Sequence, residues 1–218
     1  MIKAVLFDLE GTLVDFQWNL SMGEKELRQV MAQAGFPPSL FSGADYAGIW
    51  NGAVDAAPSQ TWPELKGRLG LVYDRWDQDA LSRWCLRPEA AQTLAFLRKR
   101  SLAVGLVTNI GARAVGKVLD RFALRDFFTR VVTRNDVSYM KPRGEGLQKC
   151  LAGLGVREVD ALFVGDSVTD IRAAREAGVR VAVLRGGESR VEDLSVAGPF
   201  RLLSSLADVQ TLVLEETG

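Results

Sequence analysis

The chain predicts an α/β fold, a doubly wound parallel sheet carrying an inserted helical segment, and three observations lead there. Short, near-continuous apolar runs recur at residues 2–7, 102–107, 131–132, 161–164 and 179–184. From residue 88 onward, stretches of helical periodicity separate these runs, the alternation that buries a parallel sheet on both faces. Residues 16–86 interrupt it with helix signals and no strand.

Taken in order, Ile2 to Phe7 is too short for a helix, rich in apolar residues, and stopped by Asp8 and Gly11, so it reads as the first strand. In the insertion, Ser21–Glu24 and Thr61–Glu64 both fit a capping box. Leu27, Val30, Met31 and Ala34 then make one apolar stripe, and Leu65, Leu69, Val72, Tyr73 and Trp76 another. All five tryptophans, Trp18, Trp50, Trp62, Trp76 and Trp84, lie in or beside this segment, either to give a small bundle enough buried area or to face a ligand. Helices are expected over Pro88–Arg100, with proline in the first turn and basic residues in the last, and over Ala112–Arg121. Two more, Glu145–Leu154 and Val168–Ala177, are closed by Gly155 and Gly178. Strands are expected at Leu102–Val107, near Val131-Val132, at Ala161–Val164 and at Val179–Leu184. Beyond Arg185 the pattern gives a loop and an amphipathic helix near Ser204–Glu215.

Composition narrows the chemistry. The 218 residues are 47% hydrophobic and 25% charged, ordinary for a folded globular protein. Twenty-seven basic side chains balance 27 acidic ones, so no basic field points to nucleic acid. No apolar run reaches membrane-spanning length, and Met1-Ile2-Lys3 leads at once into a strand, which together predict a cytoplasmic protein with no membrane partner. Cys85 and Cys150 stand apart and read as reduced structural thiols. There is no histidine, which removes Ser-His-Asp and Cys-His nucleophile pairs and any imidazole metal site. Acid or base work falls to carboxylates or lysine, and any metal is a hard, oxygen-seeking ion, with Mg2+ the default.

Four polar clusters fit that restriction: Asp8–Leu13, Thr108-Asn109, Lys141-Pro142 and Gly165–Asp170. Three of them directly follow strand-like runs, where an open parallel sheet gathers residues distant in sequence. Asp8 is placed to attack phosphorus, and Glu10, two residues on, is the candidate general acid and base. Gly11 lets the chain turn beside a bound phosphate. Thr108 and Asn109 can hold phosphoryl oxygens, Lys141 can offset their charge, and Asp166 with Asp170 can supply metal ligands and the groups behind them. Taken singly, Asp8 and Thr108 also read as helix caps, Lys141 as a solvated charge and the two later aspartates as first-turn acids. Taken jointly, in order and at matching element boundaries, they read as one phosphoryl-transfer site. The segment Gly111–Val118 nearly matches a P-loop but ends in Val where Ser or Thr must reach the metal.

These motifs resemble the haloacid dehalogenase superfamily, whose pattern is Asp-x-Asp-Gly-Thr, a Ser or Thr after the second strand, a Lys, and Gly-Asp-x-x-x-Asp. Leu13-Val14-Asp15 and the length of the insertion look most like the phosphoglycolate phosphatase and β-phosphoglucomutase branch. The resemblance implies sheet order 5-4-1-2-3, a Rossmann-like core of residues 1–15 and 87–218, and a helical cap at 16–86 that closes over substrate. It implies Asp8 as nucleophile, Glu10 as acid/base, Thr108 and Asn109 on the phosphoryl group, and Lys141 as its charge partner. Magnesium would be held by Asp8, the Glu10 backbone carbonyl and Asp166, with Asp170 supporting a bound water. The implied activity is hydrolysis of a small phosphorylated metabolite through an aspartyl-phosphate, by a monomer or homodimer. A phosphomutase and a catalytically weak phosphate-binding protein are the alternatives. Two departures stand out: Glu10 replaces the usual Asp, adding a C–C bond of roughly 1.5 Å, and Met140 stands where many members have Gly before the Lys. The enolase-phosphatase branch resembles this chain in having Asp-x-Glu.

Overall fold

The computed structural model describes residues 1–217. Six parallel strands form one sheet: β1 (Ala4–Phe7), β2 (Ala103–Val107), β3 (Arg130–Val132), β4 (Ala161–Gly165), β5 (Arg180–Leu184) and β6 (Arg201–Leu203). Their order is β3-β2-β1-β4-β5-β6, so the expected five-strand order holds and a sixth strand extends its β5 edge. The sequence reading of the tail as loop and helix missed β6, because three residues offer no alternation to detect, and missed helix α8 (Val191–Ala197) before it. Strand β1 is central: Ala4 aligns with both Ala103 and Ala161, and Phe7 with Leu106 and Val164.

Side chains alternate across the pleat. Val5, Phe7, Val104, Leu106, Leu162 and Val164 enter one core, which continues into the helical insertion, and Ala4, Leu6, Phe163, Val181 and Val183 enter the other. The first is covered by α4 (Ala90–Lys99), α5 (Ala112–Arg121) and α9 (Ala207–Thr217), the second by α6 (Glu145–Leu154) and α7 (Val168–Ala177). Gly155 and Gly178 end α6 and α7 in left-handed conformation, as the glycine stop signals predict.

The insertion folds as α1 (Leu20–Gln33), α2 (Tyr46–Ala56) and α3 (Trp62–Leu81). Neither expected capping box forms there. Asn19 caps α1 by accepting the Met22 N–H, and the Thr61 hydroxyl donates to the Pro58 carbonyl instead of accepting from α3. Boxes do form where an aspartate sits at the fourth position, Thr133 with Asp136 and Ser167 with Asp170. Both stripes pack inward except Ala34, which caps the exposed end of α1. The chain leaves and re-enters the sheet side by side: Asp15 N–H donates to Cys85 O, Cys85 N–H donates to the Asp15 carboxylate, and Val14 bridges Leu86. Among the described residues no helix is long and apolar enough to cross a membrane.

Gly144, the N-cap of α6, packs against α7 so closely that an added Cβ would lie 2.9 Å from the Ala177 nitrogen and 3.2 Å from the Ala173 carbonyl. Backbone atoms cannot swing aside as a flexible side chain can. Gly144→Ala is therefore expected to lower unfolding free energy by about 1–3 kcal/mol, read as a reduced urea midpoint at unchanged slope.

Candidate active site

The order of strands reverses on either side of β1, which opens a crevice at the carboxyl ends of β1, β2 and β4. Asp8 follows β1 there and is tied to the neighbouring strand by its N–H on Val164 O. Thr108 follows β2, Asp166 follows β4, and Lys141 arrives from the loop between β3 and α6. All the residues singled out in the sequence are buried at this point, and Asp8, Glu10, Thr108, Asn109 and Lys141 line one cavity with Phe16, Tyr46 and Glu188.

Lys141 Nζ lies 2.6 Å from Asp170 Oδ1 and 2.8 Å from Asp8 Oδ1. Burial alone would depress the ammonium, but the carboxylates of Asp170 and Asp8 outweigh it and hold Lys141 above its usual range. Asp170 is otherwise consumed: its Oδ2 accepts from the Ser167 hydroxyl and the amides of Asp166 and Ser167. It anchors the start of α7 and the lysine together. Asn109 grips the same lysine from the other side, accepting from Lys141 N–H at 2.9 Å and donating to Lys141 O at 3.1 Å. Met140, in place of glycine, is fully buried, and its backbone is paired in both directions with the Asn51 side chain of α2.

Asp166 sits in a cradle without room for side chains. A Cβ on Gly11 or on Gly187 would fall 2.1 Å from Asp166 Oδ2, and Gly11 also has φ +83°. Thr12 Oγ1 donates to Asp166 Oδ1, and Glu188 N–H donates to Oδ2. One oxygen from each of Asp8, Asp166 and Asp170 lies within 4.8 Å of the others. Asp8 Oδ1, although beside the ammonium, is buried and makes no hydrogen bond. An all-oxygen donor set of three convergent carboxylates fits a hard divalent cation such as Mg2+.

A haloacid dehalogenase-like hydrolase family model matches residues 2–178. The chain belongs to the haloacid dehalogenase-like hydrolase family. A phosphoglycolate phosphatase of Photorhabdus laumondii is 29% identical, with 97% of this chain and 92% of that protein aligned. Another, of Rhodospirillum rubrum, is 31% identical over 95% and 90%. Among solved structures, CbbY from Rhodobacter sphaeroides in complex with phosphate superposes with TM-score 0.67 at 22% identity, covering 96% of each chain.

Several residues of the hydrolase's site were not found from sequence. Glu188 follows β5 by a short Arg-Gly-Gly turn, so the strand-end logic that selected Asp8 and Asp166 applied to it equally. Burial, with Asp170 and Asp8 nearby, pushes its carboxyl up to about 8. Arg87 had no such signal; its guanidinium pins the β1 and β5 loops through the carbonyls of Gly11, Arg185 and Gly186. Tyr46, Asn51 and Phe16 come from the insertion, where nothing in the pattern marks a residue as facing the sheet. The P-loop-like segment offers no phosphate cradle, since Gly111 N–H is taken by Asp77 and Ala112 N–H by Asn135.

Burial pushes Asp8 from 3.8 to about 6 despite Lys141, with Asp170 adding to the rise. It pushes Glu10 from 4.5 to about 7 despite hydrogen bonds from Gln17, Trp84 and Trp18. Across that window the folded hydrolase holds protons that the unfolded chain has released, so its stability falls as pH rises. In chelator, the urea midpoint is expected to drop between pH 4.5 and about 7, with a shallower drop in Glu10→Gln. Added magnesium raises the midpoint at pH 7.5 by binding only the folded state.

Proposed function

We propose that this hydrolase is a magnesium-dependent phosphoric monoester hydrolase that acts on a small phosphorylated metabolite through an aspartyl-phosphate. The observation that carries the reading is the Asp8 carboxylate at the sheet's switch point, with Lys141 2.8 Å away and Glu10 lining the same cavity. The Asp8 carboxylate attacks phosphorus while Glu10 gives its proton to the departing oxygen, and Glu10 then takes a proton from the water that cleaves the acyl phosphate. Lys141 balances charge on the transferred group, held in place by Asp170 and Asn109. The Thr108 hydroxyl, which among the described residues accepts the Ile110 N–H alone, keeps its own hydrogen for a phosphoryl oxygen. Asp8, Asp166 and the Glu10 carbonyl, with Asp170 behind, would hold Mg2+, which would supply positive charge to offset the phosphoryl oxygens and the carboxylates that face them.

The cavity has a volume of about 20 Å3, room for about one water. A phosphate monoester cannot enter it as it stands, which supports residues 16–86 as a cap that opens about the paired crossings at Asp15 and Cys85. In the described arrangement the cap is shut: Trp50 donates to Ser138 O, Asn51 pairs with Met140, and Tyr139 donates to Asp55. A cytoplasmic location fits a small soluble substrate.

Phosphoglycolate, named for its relatives, is the first compound to assay, beside sugar phosphates and nucleotides. Wild-type protein is expected to release inorganic phosphate only with magnesium, and Asp8→Asn to release none while remaining folded. Conversion of a sugar 1-phosphate to its 6-phosphate without phosphate release would make it a mutase instead. Silence of both wild type and Glu10→Asp, each folded and supplied with magnesium, would make it a binding protein.

A further inference from the structure

Glu10 is buried and its carboxylate is held by one end. Oε1 accepts three N–H groups: the main-chain amides of Gln17 at 2.9 Å and Trp18 at 2.7 Å, and the indole Nε1 of Trp84 at 2.8 Å. Among the described residues no hydrogen bond reaches Oε2. An oxygen crowded by three donors cannot also carry a hydrogen, so a protonated Glu10 bears its proton on Oε2. The side chain lines the cavity it shares with Asp8.

A glutamate has one more torsion and one more C–C bond than an aspartate, roughly 1.5 Å of added reach. Left free, it would spread over rotamers, most of which put the acid outside the 2.6–3.2 Å or so that proton transfer requires. Two of its three anchors are backbone amides in the segment leaving the sheet. The third is a side chain in the segment returning to it, fully buried and therefore unable to choose another partner. Packing alone would need the shape of Trp84 but not its N–H.

We propose that Trp84 is a positioning residue: its indole N–H on Oε1 fixes the Glu10 rotamer and leaves Oε2 as the oxygen that hands a proton to the leaving group. This rests on the phosphatase reading above. It predicts a dependence on leaving group, because an alkyl phosphate needs that proton and p-nitrophenyl phosphate, whose leaving phenolate is stable, does not.

The test compares kcat/KM, which reports the phosphoryl-transfer step, for glycerol phosphate and p-nitrophenyl phosphate with magnesium present. Trp84→Phe is expected to shift the alkyl-to-aryl ratio by roughly tenfold against the alkyl substrate, a fraction of the 10²–10⁴ that a positioned acid supplies. Glu10→Gln should shift it further, and adding Trp84→Phe to Glu10→Gln should shift it no more. If Trp84→Phe does not fold, 3-benzothienylalanine at position 84, which keeps the bicyclic shape without the N–H, takes its place with the same expectation. Equal losses on both substrates, no loss on either, or losses that add in the Glu10→Gln background would overturn the proposal. A wild type that releases phosphate from neither compound, nor from phosphoglycolate, sugar phosphates or nucleotides, sinks the phosphatase reading and this inference with it, whereas an active wild type with an unshifted ratio sinks this inference alone.

Discussion

One ammonium holds the site together. Five carboxyl groups, those of Asp8, Glu10, Asp166, Asp170 and Glu188, gather at the ends of three strands, and Lys141 is the cation among the residues lining their cavity. Bringing like charges out of water into one pocket is costly, and a single buried pair seldom recovers that cost. The result is visible in the titration of the acids: Asp8, Glu10, Asp166 and Glu188 are all pushed upward by burial, and the lysine is held charged. Such an arrangement makes poor sense as a device for stability. It makes sense as the site of a phosphoric monoester hydrolase, with three convergent carboxylates of the kind that can hold a divalent cation.

A second buried charge serves the junction between the sheet and the insertion. Arg134, from the loop after β3, pairs with Asp77 and Asp74 of α3, donates to Asn109 O, and stacks over the Tyr73 ring. Asp77 in turn accepts from the Trp18 indole and Gly111 N–H. The loop bearing Asn109 is therefore fixed from the helical side. Since Asn109 holds the backbone of Lys141, the position of the ammonium depends on residues from both halves of the chain.

How much of this was legible in sequence follows from the range of each interaction. The strands and the helices over Ala112–Arg121, Glu145–Leu154 and Val168–Ala177 were legible because apolar runs, periodicity and glycine stops are local. Strand β6 was not, since its three residues become a strand only by pairing with β5. Asp8 and Asp166 were legible because chain topology brings strand ends together, and Lys141, on the loop after β3, because its place in the order of motifs marks it. Asn51, Arg87, Tyr46 and the indole of Trp84 were not, because their partners in the site lie 63 or more residues away and no period links them. The tryptophans illustrate both outcomes. Trp50 and Trp18 pack with Tyr73 in the bundle, as the packing reading expects, and Trp84 reaches the acid side chain of the site.

The glutamate at position 10 shows why a motif departure has to be judged with its surroundings. On its own, the extra methylene weakens the case for a proton donor, because reach and torsional freedom both grow. In place, the longer side chain meets donors from the outgoing and the returning crossing at one oxygen. The departure and its partners therefore form one unit, which ties the side chain at position 10 to both crossings between the sheet and the insertion. The same few hydrogen bonds hold the carboxylate at position 10 and join the outgoing crossing to the returning one, which is a physical reason to judge the glutamate together with Gln17, Trp18 and Trp84.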